Sequence, residues 1–79
     1  MTDRQIECIV AIAEQQSLTN AAKLLYVSQS SLSQLLSKVE TELNAQLFIR
    51  TSSAMLPTYA GRQVLESVQE ISSIKRNLY

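Results

Sequence analysis

A small, mostly α-helical domain is what this sequence predicts, and three observations carry the prediction. The 79 residues include one glycine and one proline, so the chain favours long regular elements joined by short connections. Apolar residues recur at spacings of three and four along most of its length, which is the period of an amphipathic helix. Hydroxyl side chains suited to helix N-caps (Thr2, Ser17, Ser28 and Thr58) stand just ahead of these runs. The length allows one domain, near the size at which a single core gives marginal stability.

The first helix is predicted from Asp3 to about Gln16. Thr2 and Gln5 have capping-box spacing, and Ile6, Ile9, Val10 and Ala13 recur at helical spacing and make one apolar stripe. Cys8 falls one position off that stripe. It reads as a buried, inert thiol with no basic neighbour to lower its pKa. Ser17 opens a second helix whose Ala21 and Ala22 are small enough for a neighbouring helix to approach closely. Tyr26 and Val27 interrupt the pattern, and Ser28 opens a third helix from about Gln29 to Leu43, apolar at Leu32, Leu35, Leu36, Val39 and Leu43. So short a break fits a helix-turn-helix, in which the second helix is free to enter a DNA groove.

Beyond Asn44 two short apolar pieces, Leu47-Phe48-Ile49 and Met55-Leu56, flank Thr51-Ser52-Ser53. They suit a two-stranded ribbon, with Pro57 ending the second strand or lying at its edge. Thr58 then caps a final helix. Gly61 falls in its first turn, where glycine is unfavourable by roughly 1 kcal/mol against alanine; close packing by a neighbouring element is preferred over a later helix start. Val64, Val68, Ile71, Ile74 and Leu78 step by three or four along this helix. They read as a two-chain helical seam in preference to intramolecular packing, although Lys75 interrupts one seam line.

Chemistry is concentrated on the third helix. Four serines and two glutamines fall within the seven residues Ser28 to Gln34. Serine is a poor helix-interior residue, and a merely solvated face usually carries Glu and Lys. Short hydroxyls and amides on Ser30, Ser31, Ser33 and Gln34 instead suit contact with phosphates and base edges. Seven basic and seven acidic residues cancel, which counts against a nucleic-acid binder. Locally the balance differs: between Gln15 and Val39 the only charges are Lys23 and Lys38, and between Leu43 and Leu65 they are Arg50 and Arg62. Lys38, Arg50 and Arg62 are the candidate phosphate clamps, Arg50 foremost, while Lys23 reads as a solvated charge.

Histidine is absent and Cys8 is alone. No nucleophile–base pair, Gly-rich phosphate loop or metal-ligand spacing is present, so no enzyme, metal or cofactor is expected. No apolar run is long enough for a signal peptide or membrane span, and a reduced, cytoplasmic protein is expected.

The stretch "AIAEQQSLTNAAKLLYVSQSSLSQLLSKVETELNAQLFIRT", followed by "PTYAG", resembles the N-terminal DNA-binding domain of the LysR-type transcriptional regulators. The resemblance covers essentially the whole chain. It implies a winged helix-turn-helix, a three-helix core plus a short two-stranded wing, over residues 1–57, and a dimerisation helix over residues 58–79. It implies that Ser28 caps the recognition helix, that Gln29, Ser30, Ser31, Ser33 and Gln34 face DNA, that Lys38 lies further along, and that Arg50, Thr51 and Ser52 belong to the wing. Double-stranded promoter DNA, a homodimer and a tetramer of the full-length protein are the implied partners. A small-molecule effector would act through a C-terminal domain that these residues lack, so a fragment is expected. The family often has Pro where Ser30 stands and Arg where Gln34 stands, so binding here is expected to depend on dimerisation and shape more than on charge. The other reading is a helical protein-interaction module that has lost DNA affinity.

Overall fold

The computed structural model describes residues 1–78, with side chains through Val68. Helices α1 (Asp3–Gln15), α2 (Leu18–Leu25) and α3 (Gln29–Leu43) lead into strands β1 (Phe48–Arg50) and β2 (Met55–Pro57) and then helix α4 (Tyr59–Leu78). The expected winged helix-turn-helix is therefore present: three helices, a two-stranded antiparallel wing and a final helix. In the wing Phe48 pairs with Pro57, Ile49 with Leu56 and Arg50 with Met55, so Pro57 ends its strand.

Each of the four helices begins on the hydroxyl that the sequence offered. Thr2 Oγ1 accepts the Gln5 N–H while Gln5 Oε1 accepts the Thr2 N–H, completing the capping box. Ser17 caps α2 through the Asn20 N–H, Ser28 caps α3 through the Ser31 N–H, and Thr58 caps α4 through the Gly61 N–H. Three C-termini close on left-handed residues, Gln16, Tyr26 and Asn44, at φ of 53°, 58° and 52°. Glycine usually fills such sites. The one glycine is needed elsewhere.

That place is Gly61. A Cβ built there would lie 2.1 Å from the carbonyl oxygen of Leu47, so α4 crosses the start of β1 at backbone contact. The packing reading of Gly61 holds, and the later helix start does not. Thr58 reinforces the crossing. Its N–H donates to Leu47 O at 2.9 Å, and its hydroxyl donates to Gln46 O.

The core gathers Cys8, Ile9, Ala11 and Ile12 of α1, Leu18, Ala21 and Ala22 of α2, and Leu32, Leu36 and Val39 of α3, closed by Leu47, Phe48 and Met55. This corrects the α1 stripe. Ile9 is buried, but Ile6, Val10 and Ala13 are only partly so, and Cys8 and Ile12 occupy the interior in their stead. The inward line is rotated because α2, α3, β2 and α4 all contact α1, and together they cover a broader arc than one apolar stripe marks. Cys8 is 1% exposed. Burial pushes its thiol pKa up, and the nearby Arg4, a basic neighbour the sequence reading did not foresee, opposes this more weakly.

Val64 is half-buried and lies against the domain's own core. Val68 lines a groove with Ile6, Val10, Leu24 and Leu25. Both thus have intramolecular surroundings that the two-chain seam did not anticipate. The side chains of Ile71, Ile74 and Leu78, the rest of that seam, lie outside the described ones.

Gly61→Ala is expected to destabilise the domain by about 1–3 kcal/mol, because the methyl meets a backbone carbonyl that cannot turn aside. In urea unfolding a variant as stable as the parent, gaining only alanine's helix preference, would contradict the close crossing.

Candidate nucleic-acid interface

Helix α3 lays Leu32, Leu36 and Val39 into the core and turns its other face to solvent. Ser30, Gln34 and Ser37, spaced four and three apart, form the outermost row, since such spacings share a helix face. All three are exposed. Ser31 and Lys38 flank the row and are exposed, whereas Ser33 is partly buried. Ser28 and Gln29 are exposed at the amino end. The row is narrow, uncharged and free of bulky groups, so the helix backbone can come close to whatever it meets.

Two of these hydroxyls already serve the fold. Ser28 Oγ accepts the Ser31 N–H at 3.0 Å and donates to Ser31 Oγ at 2.8 Å, so the cap also orients the Ser31 side chain. Thr51 organises the wing turn. Its N–H and hydroxyl both donate to Ala54 O, and Oγ1 accepts the Ser53 and Ala54 N–H groups. Thr51 thereby holds Ser52 and Ser53 at an exposed tip, with Arg50 exposed at the end of β1.

An open cleft joins the two halves of the candidate site. Ser17, the cap of α2, Thr19 from α2, Gln29 from α3, and Arg50, Thr51 and Ser53 from the wing all line it. The structure therefore brings Gln29 and Arg50 together, two candidates separated by 21 positions in sequence. Lys38 stands apart, about 14 Å further along the helix axis from Gln29 at 1.5 Å per residue. Arg62 is exposed on the first turn of α4 and lines none of this cleft.

Two residues of consequence carried no signal of their own in the sequence. Thr19 Oγ1 donates to Gln29 Oε1 at 3.1 Å, a bond between helices that periodicity does not announce. Glu40 is partly buried near the end of α3 and accepts the Leu47 N–H at 2.7 Å and the Phe48 N–H at 3.4 Å. It fastens the recognition helix to the first wing strand. A further backbone bond, from Met55 N–H to Gln16 O at 3.0 Å, ties β2 to the end of α1.

Glu40→Ala should leave the part-buried Leu47 N–H without its acceptor, at about 1–3 kcal/mol. Amide hydrogen exchange at Leu47 and Phe48 is expected to quicken well before that of the α1 core. Exchange unchanged at both amides would show that the carboxylate does not hold the wing.

Residues 4–62 match the family described as "Bacterial regulatory helix-turn-helix protein, lysR family". The chain is 44% identical over 62 residues to the nitrogen assimilation regulatory protein nac of Escherichia coli (strain K12), covering 78% of this chain and 20% of that protein. It is 39% identical over 75 residues to the HTH-type transcriptional regulator DgcR of Pseudoalteromonas sp, covering 95% of this chain and 26% of that one. The chain thus spans between a fifth and about a quarter of the length of these relatives. Among solved structures, a CbnR_DBD–DNA complex superposes with a TM-score of 0.86 at 30% identity, covering 98% of this chain and 88% of that one. Full-length OxyR C199D from Pseudomonas aeruginosa gives 0.83 at 31% identity, covering 99% of this chain and 26% of that one. With the fold, the motif order and most of its length in agreement, the chain belongs to the LysR family of bacterial regulatory helix-turn-helix proteins.

Proposed function

We propose that these residues form a sequence-specific, double-stranded DNA-binding domain that acts as a homodimer. One observation carries the reading: the slim, uncharged outer row of α3 shares an exposed surface with a cleft that joins Gln29 to Arg50 of the wing. The DNA complex formed by CbnR, whose domain superposes over nearly the whole chain, supports it. In this reading α3 enters the major groove, which admits one α-helix. Gln29, Ser30, Ser31, Ser33 and Gln34 face base edges. Ser28, Lys38, Arg50, Thr51 and Ser52 lie beside the sugar–phosphate backbone. Residues 1–57 form the DNA-binding unit and 58–79 the dimerisation helix, with Val64, Val68, Ile71, Ile74 and Leu78 as its apolar line. The protein works by binding rather than catalysis, in the cytoplasm with the chromosome.

Few cations reach the proposed contact surface, so electrostatics contribute little. About three phosphates neutralised per protomer, by Lys38, Arg50 and Arg62, or about six per dimer, correspond to a slope of log K against log salt of about −5. Fluorescence anisotropy on promoter duplexes across a salt series measures both affinity and slope. A Ser31→Glu, Ser33→Glu double variant is expected to lose DNA binding while remaining a folded dimer. A dimer without measurable binding at low salt would remove this reading and favour the protein-interaction module, which the zero net charge also suits.

Ile71→Asp should break the apolar line and, with it, the linkage of two half-sites. Affinity for a two-half-site duplex is then expected to fall at least tenfold, with sedimentation showing monomer. Unchanged affinity would place the dimer contact elsewhere.

A further inference from the structure

We infer that Thr19, on α2, is a positioning residue that sets the orientation of the Gln29 amide and so determines base preference at one position of each half-site. The inference rests on the DNA reading above and adds to it a specificity determinant outside the recognition helix.

Gln29 is the first residue of α3 and is exposed. An exposed glutamine has three rotatable side-chain bonds, and its terminal torsion is broad, so on its own it presents C=O and NH2 in either order. Here Thr19 Oγ1 donates to Gln29 Oε1 at 3.1 Å, which turns the amide oxygen toward α2 and favours one order over the other. Among the described residues this is the one side-chain-to-side-chain hydrogen bond that joins α2 to α3. Thr19 suits the task. Its β-branched side chain has few rotamers, and it stands one residue into a short helix whose cap, Ser17, is itself hydrogen bonded.

The donor inventory then decides what Gln29 can read. An amide oxygen has two lone pairs and an amide nitrogen two hydrogens. With the Thr19 hydroxyl donating, one acceptor lone pair and both donors of the amide remain free. That set complements the major-groove edge of adenine, where N7 accepts and the N6 amino group donates. Guanine offers two acceptors on the same edge, so it leaves the amide oxygen unanswered. Location agrees with the chemistry, since Thr19 and Gln29 line the same cleft as Arg50, Thr51 and Ser53. The clamped amide therefore lies beside the groups proposed to hold the DNA backbone.

The test selects duplexes from a random-sequence pool with the dimeric protein and its Thr19→Val, Thr19→Ser and Gln29→Ala variants. Circular dichroism and sedimentation confirm that each variant is folded and dimeric. Valine keeps the shape of threonine and loses the hydroxyl. With Thr19→Val, preference for an A·T pair at one position per half-site is expected to fall about tenfold, with the other positions and the salt slope unchanged. Thr19→Ser should retain most of that preference, Gln29→Ala should lose the same position, and the Thr19→Val, Gln29→Ala double variant should lose no more.

A uniform loss of affinity over all sequences with a shallower salt slope would make Thr19 a phosphate contact and overturn the inference. So would an unchanged preference in Thr19→Val, or a preference for G·C at the affected position. Failure of the parent protein to select any sequence would overturn the DNA reading itself and this inference with it.

Discussion

The backbone of Leu47 is held from three directions, and the relation between recognition helix, wing and final helix depends on it. Its N–H is taken by the Glu40 carboxylate at 2.7 Å, its C=O accepts the Thr58 N–H at 2.9 Å, and Gly61 passes close enough that a Cβ would lie 2.1 Å from the same oxygen. The Leu47 side chain is fully buried below. A carboxylate accepting backbone N–H groups is a charge-assisted bond and stronger than a neutral one. The last turn of α3, the first wing strand and the first turn of α4 are therefore coupled at one residue. A rotation of α4 cannot occur without being felt at the wing.

This coupling explains why so small a domain keeps a defined wing. A two-stranded ribbon is marginally stable by itself, and this one has three pairs of residues. Its ends are tied to helices instead: β1 through Glu40, β2 through the Met55 bond to Gln16, and the exit through Thr58. Phe48 and Met55 enter the core from opposite strands, while Thr51 closes the tip with its own hydroxyl. Each fixing is short and directional, so the wing needs little apolar area of its own.

Much of this was legible in the sequence where the cause was local. Helix starts follow from a hydroxyl three residues ahead of the N–H it accepts, and Thr2, Ser17, Ser28 and Thr58 all obey that spacing. The turn at Tyr26–Val27, the exposed row of α3 and the close crossing at Gly61 were likewise visible. What was missed depends on partners distant in the chain. Glu40 reads as one more helical acid until Leu47 folds back beside it. Thr19 gains its meaning from a residue ten positions on. The α1 stripe was rotated for a related reason, because hydrophobicity ranked Ile6 and Val10 above Cys8, whereas the contacts of α1 with α2, α3, β2 and α4 decided which line went inward. For Val64 and Val68 spacing alone does not separate a two-chain seam from a core-facing stripe, because the two have the same period.

The uncharged outer row of α3 has a consequence for how such a protein would find its target. Non-specific affinity for DNA comes almost wholly from cations on phosphates, and a genome presents on the order of 10⁶–10⁹ competing sites. An outer row of Ser30, Gln34 and Ser37, without a charge among them, offers phosphates little to hold. Were this row to face DNA as proposed, random sequence would release it quickly, and the target would be reached by many brief encounters rather than by long one-dimensional slides.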